Sequence, residues 1–383
     1  MKKASWGGAL FLALTYGTNA VYQGYISKFY QQSDMRGSAL AWLLVSFPLV
    51  SAVSQPLWGL LADRSKGRAW ALRGAMTLSM LLLPSMARQR SFTGLFLMSC
   101  AFAACYPAVQ PLGESVILSG LRREGLPYGP VRMAGSAAFA LSGLLAGRLL
   151  GERYGSVPHI TAAGLGFALA ASFLLPSAAA ASRERRSRFP WRAFRRGQLP
   201  ALLTLYLLLQ LTLGYFYSYY ALYFTALPGG TGRLLGFSLF LASVSELPWL
   251  LLGDRLFRRH GAGRLLLLSG LSLTARYLLL AWGRSLPVIL LSQALQGPGV
   301  GLLAFCMAKY VNCALPEPFK ARGQTLVSAA GAGAARVAGS LLGGWIGRGA
   351  GLRSGFLLMA GVAFFAFSAF YPVFRLPVLN GEQ

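Results

Sequence analysis

The chain has 383 residues, 55% of them hydrophobic and only 12% charged, whereas a soluble domain carries about 25% charged residues; a soluble globular class is excluded. The apolar runs are continuous rather than alternating and long enough to cross a bilayer core of about 30 Å as helices, which also excludes a β-barrel. The excess of 36 Lys and Arg over 10 Asp and Glu is read as cationic loops holding helix ends at the cytoplasmic face and meeting anionic lipid headgroups, not as a nucleic-acid surface.

Residues 1–28 open with Lys2-Lys3 and a long apolar run that ends at Lys28 without a small-residue cleavage site, so a retained first span is expected rather than a signal peptide. The pattern predicts twelve spans. Six lie at 6–28, 38–61, 69–87, 92–120, 130–151 and 158–176, and six at 199–226, 233–252, 264–282, 287–313, 323–346 and 354–374. Between the sets runs a polar segment with Arg183, Arg185, Arg186, Arg188, Arg192, Arg195 and Arg196. The expected organisation is an N-terminal six-helix bundle (1–176), a cytoplasmic Arg-rich linker (177–198) and a C-terminal six-helix bundle (199–383). The fold class is an all-α polytopic membrane protein of twelve transmembrane helices in two pseudo-symmetric bundles. The Lys/Arg bias places both termini in the cytoplasm, with the chain in a bacterial cytoplasmic membrane.

Two features repeat between the halves. Gly59-Leu60-Leu61-Ala62-Asp63-Arg64-Ser65-Lys66-Gly67-Arg68 follows the second span, and Gly253-Asp254-Arg255-Leu256-Phe257-Arg258-Arg259-His260-Gly261 follows the eighth. Both read as tight charged turns. Gly135, Gly143, Gly147, Gly151 and Gly155 have counterparts at one constant shift in Gly331, Gly339, Gly343, Gly347 and Gly351. Small residues four or eight apart share a helix face and let backbones approach. Twofold repeats in an all-helical membrane chain point to alternating access.

Ionisable groups inside a span are functional candidates by default. Glu246 stands alone in its span, so it reads either as a carboxyl for proton or substrate coupling or as half of a structural pair with Arg276 or another basic group. Glu114 reads as a second titrating, substrate-site or gating acid or as a partner of Arg132. Arg132 reads as a substrate ligand or as a side chain snorkelling to the cytoplasmic end. Arg336 adds to the positive charge of the second half, which keeps an anionic solute open. Neutral hydrogen-bonding groups expected to meet substrate are Asn19 and Gln23 in the first span, Gln110 in the fourth, and Gln293 and Gln296 in the tenth. The seventh-span run Tyr206, Tyr215, Phe216, Tyr217, Tyr219, Tyr220 and Tyr223 reads as an interfacial belt or as cavity lining, with Tyr219 the expected substrate contact. Pro107 and Pro111, and Gly297-Pro298-Gly299, interrupt corresponding spans. Cys100, Cys105, Cys306 and Cys313 lie in apolar spans and read as packing residues. The sequence carries no nucleotide fingerprint, metal-ligand spacing or nucleophile–base arrangement, and His159 and His260 fall near loops; no enzyme, cofactor or metal is expected.

The turn at Gly59–Arg68, the twelve spans, the central linker and the six-plus-six repeat resemble the major facilitator superfamily over essentially the whole chain. Gln55–Asp63, Tyr128–Gly135, Ser245-Glu246-Leu247 and Leu273-Thr274-Ala275-Arg276 are similar to its lactose permease branch of oligosaccharide–proton and nucleoside–proton symporters. That resemblance implies a sugar-binding role for Arg132, sugar binding and coupling for Glu246, and proton release for Arg276. The chain departs from the branch at Gln296 and Gly299, which stand where a His and a Glu are usual, at Tyr217 and Ser218 in place of aspartates, and at Gln110 in place of a glutamate. Within the charged stretches Asp63 reads as a cap of the next helix start or as a partner of Arg64, Arg68 or a basic group across the interface between the halves; such a bond would make Gly59, Asp63, Arg64, Gly67, Arg68, Asp254 and Arg255 a conformational latch on the cytoplasmic side. The expected function is secondary active transport, by a functional monomer, of a sugar, glycoside or nucleoside-like solute with protons. Uniport or exchange of an organic anion, and a sensor that transports nothing, are the alternatives.

Overall fold

The computed structural model describes residues 3–64, 68–126, 128–175, 199–315, 320–346 and 351–375, which are helical with short connections and no strand. The helices are α1 (Lys3–Gln32), α2 (Gly37–Arg64), α3 (Arg68–Arg88), α4 (Phe92–Cys105), α5 (Val109–Arg123), α6 (Tyr128–Leu150), α7 (Val157–Ser172), α8 (Leu199–Ala226), α9 (Gly232–Trp282), α10 (Leu286–Ser292), α11 (Leu302–Ala314), α12 (Lys320–Ser328), α13 (Arg336–Ile346) and α14 (Gly351–Arg375). Eight helical stretches among the described residues are long and apolar enough to cross a membrane. The element order is compatible with twelve spans, because several spans are broken and one assigned helix holds two. The Arg-rich linker lies outside the described residues.

The breaks follow local chemistry. A 3₁₀ turn, Tyr106–Ala108, separates α4 from α5 at Pro107, where the missing N–H removes a helical hydrogen bond. A 3₁₀ turn at Gln293–Leu295 and a π turn at Gly297–Gly301, containing Pro298, separate α10 from α11. A second π turn, Ala329–Ala335, separates α12 from α13. This one was not legible along the chain, since an Ala/Gly run has the same composition in α and π geometry.

The second charged stretch is not the tight turn its sequence suggested. Gly253–His260 continues the helix, and the backbone leaves it only at Gly261 (φ 75°, ψ 167°), a conformation that favours glycine. Along the stretch the Phe257 and Phe305 rings meet edge-on at 6.5 Å. In the first copy, residues through Arg64 are likewise helical, 65–67 lie outside the described residues, and α3 begins at Arg68.

By contact density the chain forms two compact units, Met1–Arg183 with Phe224–Ala226 and Gly230–Phe240, and Glu184–Tyr223 with Leu227–Gly229 and Leu241–Gln383. The first unit has a core of fully buried Phe11, Leu12 and Phe102, with the Tyr22 and Tyr106 rings each 4.8 Å from Phe102. In the second, Phe356 receives Tyr215 at 5.0 Å and Tyr223 at 4.9 Å. Leu149, Leu251 and Trp345 stand exposed, as suits side chains facing lipid.

The glycine faces are shorter than the sequence implied. Gly151 (φ 53°) lies past the end of α6, Gly155 lies in the 3₁₀ turn Tyr154–Ser156, Gly351 opens α14, and Gly347 lies outside the described residues. The glycines that remain make close contacts. A Cβ on Gly147 would meet the Gly232 carbonyl oxygen at 2.5 Å, and one on Gly339 would overlap the Leu211 carbonyl. Backbone cannot yield as a side-chain tip can, so Gly339→Ala is expected to lower the melting temperature in detergent markedly. Gly74→Ala in α3, where a Cβ meets nothing within 4 Å, is expected to leave it unchanged or raise it. Equal melting of the two variants would refute close packing at Gly339.

Candidate functional site

The first unit gathers its polar groups from α1, α5 and α6. The buried Tyr16 of α1 donates its hydroxyl to Glu114 Oε1 at 2.6 Å. Arg132 of α6 brings Nε to 4.0 Å from the same oxygen, with the two side chains about one third exposed (37% and 33%). The guanidinium lies 4.1 Å from the centre of the Tyr16 ring and donates from Nη1 to Ser136 Oγ at 3.0 Å, one helical turn away. One carboxylate oxygen is therefore shared between a phenol and an arginine, and accessible edges remain on both Glu114 and Arg132. Gln110 sits half-buried one turn before Glu114. Further along α1, Asn19 Oδ1 accepts from Gln23 Nε2 at 3.1 Å and from the Tyr106 hydroxyl at 3.4 Å.

The second unit holds a network across α8, α9 and the broken tenth span. Arg276 of α9 is completely buried. Its Nη2 donates to Gln293 Oε1 at 2.7 Å, its Nη1 donates to Gln296 Oε1, and its guanidinium lies 4.0 Å from the centre of the Phe216 ring. Gln296 passes the connection on, donating from Nε2 to Glu246 Oε1 at 2.8 Å. Both ends of that amide are thus spoken for: oxygen toward the arginine, nitrogen toward the carboxylate. Glu246 and Arg276, which the sequence offered as a direct ion pair, are joined through Gln296. The interruption of the tenth span assists, because the Gln293 carbonyl accepts from Ser245 Oγ at 3.1 Å and the Gly297 N–H donates to that hydroxyl at 3.0 Å. Gln293 is itself fixed, its Nε2 donating to Ser292 Oγ at 3.1 Å.

Arg336 opens α13, half-buried, donating from Nε to Gln210 Oε1 at 2.8 Å and lying 4.9 Å from the Tyr217 ring centre. Gln210 was missed in the sequence, although an amide in an apolar span is a signal of the same kind as a charge. The tyrosine run divides. Tyr206, Tyr215, Tyr219, Tyr220 and Tyr223 are buried, whereas Tyr217 is exposed. Tyr219, expected to meet substrate, donates its hydroxyl to the Ser340 carbonyl at 3.1 Å and stacks on Tyr215 at 5.1 Å, a helix-packing position.

Of the latch residues, Gly59 lies within α2 and Arg255 is exposed. Asp254 Oδ1 accepts from Lys309 Nζ at 2.6 Å in a largely exposed pair. Gly67 and the side chains of Asp63, Arg64 and Arg68 lie outside the described residues.

These polar clusters, set in helices of membrane-spanning length, agree with the relatives of the chain. The family described as MFS_1 like matches residues 6–358. Maltose permease of Geobacillus stearothermophilus is 30% identical over 328 residues, spanning 82% of this chain and 80% of that protein. An uncharacterized transporter, YwbF, of Bacillus subtilis (strain 168) is 23% identical over 328 residues, spanning 84% and 80%. Among solved structures the nucleoside transporter NupG has a TM-score of 0.83 at 15% identity, covering 98% of this chain and 100% of that one; this likeness speaks to the fold alone. The chain belongs to the MFS_1-like family of membrane-spanning transporters.

Proposed function

We propose that the protein is a secondary active transporter that moves a small polar organic solute, a sugar, glycoside or nucleoside-like molecule, by alternating access and in symport with protons. The observation that carries this reading is the chain Glu246–Gln296–Arg276 within otherwise apolar helices. A charged Glu246 accepts from the Gln296 amide nitrogen. A protonated carboxyl keeps an oxygen that accepts from Gln296 but gives up its charge, so proton uptake at Glu246 turns a charge-assisted bond between α9 and the tenth span into a weaker neutral one, and proton release restores it. Glu114 is the second candidate acid, and Arg276 the charge that biases Glu246 toward release. Arg132, Gln110, Asn19 and Gln23 supply a fork and amides suited to hydroxyl groups, whereas Gln293 and Gln296, expected from the sequence to do the same, have both amide ends engaged within the protein. Tyr219 is given no direct contact in this scheme. The names of maltose permease and of NupG favour the same solute class. Gly59, Asp63, Arg64, Gly67, Arg68, Asp254 and Arg255 are proposed to latch the cytoplasmic side. The protein is proposed to act as a monomer in a bacterial cytoplasmic membrane with both termini inside.

Uptake of labelled maltose, uridine and methyl glucuronoside into proteoliposomes, with and without an inward proton gradient, tests the proposal. Concentrative uptake of at least one of them that depends on the gradient is the expected result. Uptake indifferent to the gradient would refute symport, and no uptake of any of the three would remove this solute class.

A further inference from the structure

Resting on that transport reading and narrowing its substrate class, we propose that the solute carries a carboxylate and that Arg336 is the residue that binds it. The inference begins from the charge balance of the second unit. Arg276 and Arg336 both lie within spans, and among the described residues neither has a carboxylate within 4.0 Å; their hydrogen-bond partners are the neutral oxygens of Gln293, Gln296 and Gln210. An intramembrane arginine is costly unless it meets a counter-charge or a water-filled cavity.

The two arginines differ in what they leave over. Arg276 is completely buried, with both Nη groups occupied and its unpartnered Nε shut off from solvent, so it has no accessible edge to offer a solute. Arg336 is half-buried and commits only Nε, to Gln210. Its two Nη groups, the fork that matches a carboxylate in two parallel hydrogen bonds, have no acceptor among the described residues. Gln210 is buried and grips Nε, which orients the fork. Beside it Tyr217, the exposed member of the α8 tyrosine run, faces the guanidinium at 4.9 Å and offers a ring on which a sugar or base can lie. The π turn Ala329–Ala335 ends immediately before Arg336, and such turns occur often at functional sites. The arrangement therefore joins an anion fork, an orienting amide and an exposed aromatic ring within one unit, which is the equipment for an acidic glycoside.

Methyl glucoside and methyl glucuronoside differ only in oxidation of C6 to a carboxylate, and they provide the test. Thermal-shift titrations are run on detergent-solubilised wild type, Arg336→Gln and Arg336→Lys, alongside proteoliposome uptake of the same two probes. The wild type is expected to bind the glucuronoside at least about tenfold more tightly, equivalent to about 1.4 kcal/mol. Arg336→Gln should erase the preference, and Arg336→Lys should keep part of it, since an ammonium supplies charge without the fork. Equal affinity for the two probes in the wild type, no binding of either, or a preference that survives Arg336→Gln would each overturn the assignment. Glucuronoside binding lost in Arg336→Gln without uptake by any variant would uphold it and overturn the transport reading instead. Unligated Arg336→Gln melting with the wild type shows that lost binding is not lost folding; if it unfolds, Tyr217→Leu should weaken glucuronoside binding in a folded protein, and unchanged binding there would overturn the site.

Discussion

Glu246→Gln is expected to reduce gradient-driven accumulation to the level seen without a gradient, while solute exchange at equal pH continues. The amide keeps an oxygen that can accept from Gln296 Nε2, as Glu246 Oε1 does at 2.8 Å, so the network linking α9 to the tenth span stays closed. What is lost is the capacity to take up and release a proton. The substitution therefore separates coupling from folding, and the purified variant should melt close to the wild type. Accumulation that still follows the gradient in Glu246→Gln would move the coupling role elsewhere, and Glu114→Gln would then be the variant to measure. Glu114 shares its oxygen with the Tyr16 hydroxyl and Arg132, an equally plain site for a proton to disturb.

Arg276→Leu is expected to produce the largest loss of stability. The substitution leaves the Gln293 and Gln296 carbonyl oxygens buried without the donors they now have, at about 1–3 kcal/mol each. Loss of the stacking on Phe216 adds to this. The combined effect, roughly 3–8 kcal/mol, should appear as a large fall in melting temperature or as failure to purify a folded protein. Arg276→Lys should recover little, because one ammonium cannot span two carbonyls as the planar fork does. A double variant, Arg276→Leu with Gln293→Leu, should melt above Arg276→Leu alone, since removing donor and acceptor together leaves fewer unmet groups. Arg276→Leu melting with the wild type would show that the two amides do not depend on the arginine.

Much of this was legible along the chain because the signals are local. Scarcity of charge and the length of apolar runs define spans one at a time, and the constant shift between the two glycine sets reveals a repeat without any knowledge of packing. Glu114, Arg132, Glu246, Arg276 and Arg336 stood out because each is an ionisable residue in an apolar stretch. Partnership was not legible. Gln210 and Arg336 are 126 residues apart and Gln296 and Glu246 are 50 apart, and no local pattern ties them. The Gly253–Gly261 stretch misled for a related reason. Gly and Asp are common in turns, but the backbone there stays helical up to Gly261.

The sequence by itself determined the class: a helical membrane protein with twofold internal repetition and a few charged groups set in its spans. It could do so because hydropathy over about 20 residues decides whether a helix enters a bilayer, whatever its neighbours. Only the tertiary structure decided what those charges meet. Arg276 answers to two glutamines rather than to a carboxylate, Tyr219 packs while Tyr217 is exposed, and Arg336 keeps an open fork. These outcomes depend on how each helix is rotated about its axis. For Gln296 and Arg336 the 3₁₀ turn at 293–295 and the π turn at 329–335 come just before the residue, and one residue more or less per turn swings every later side chain around the helix by about 100°.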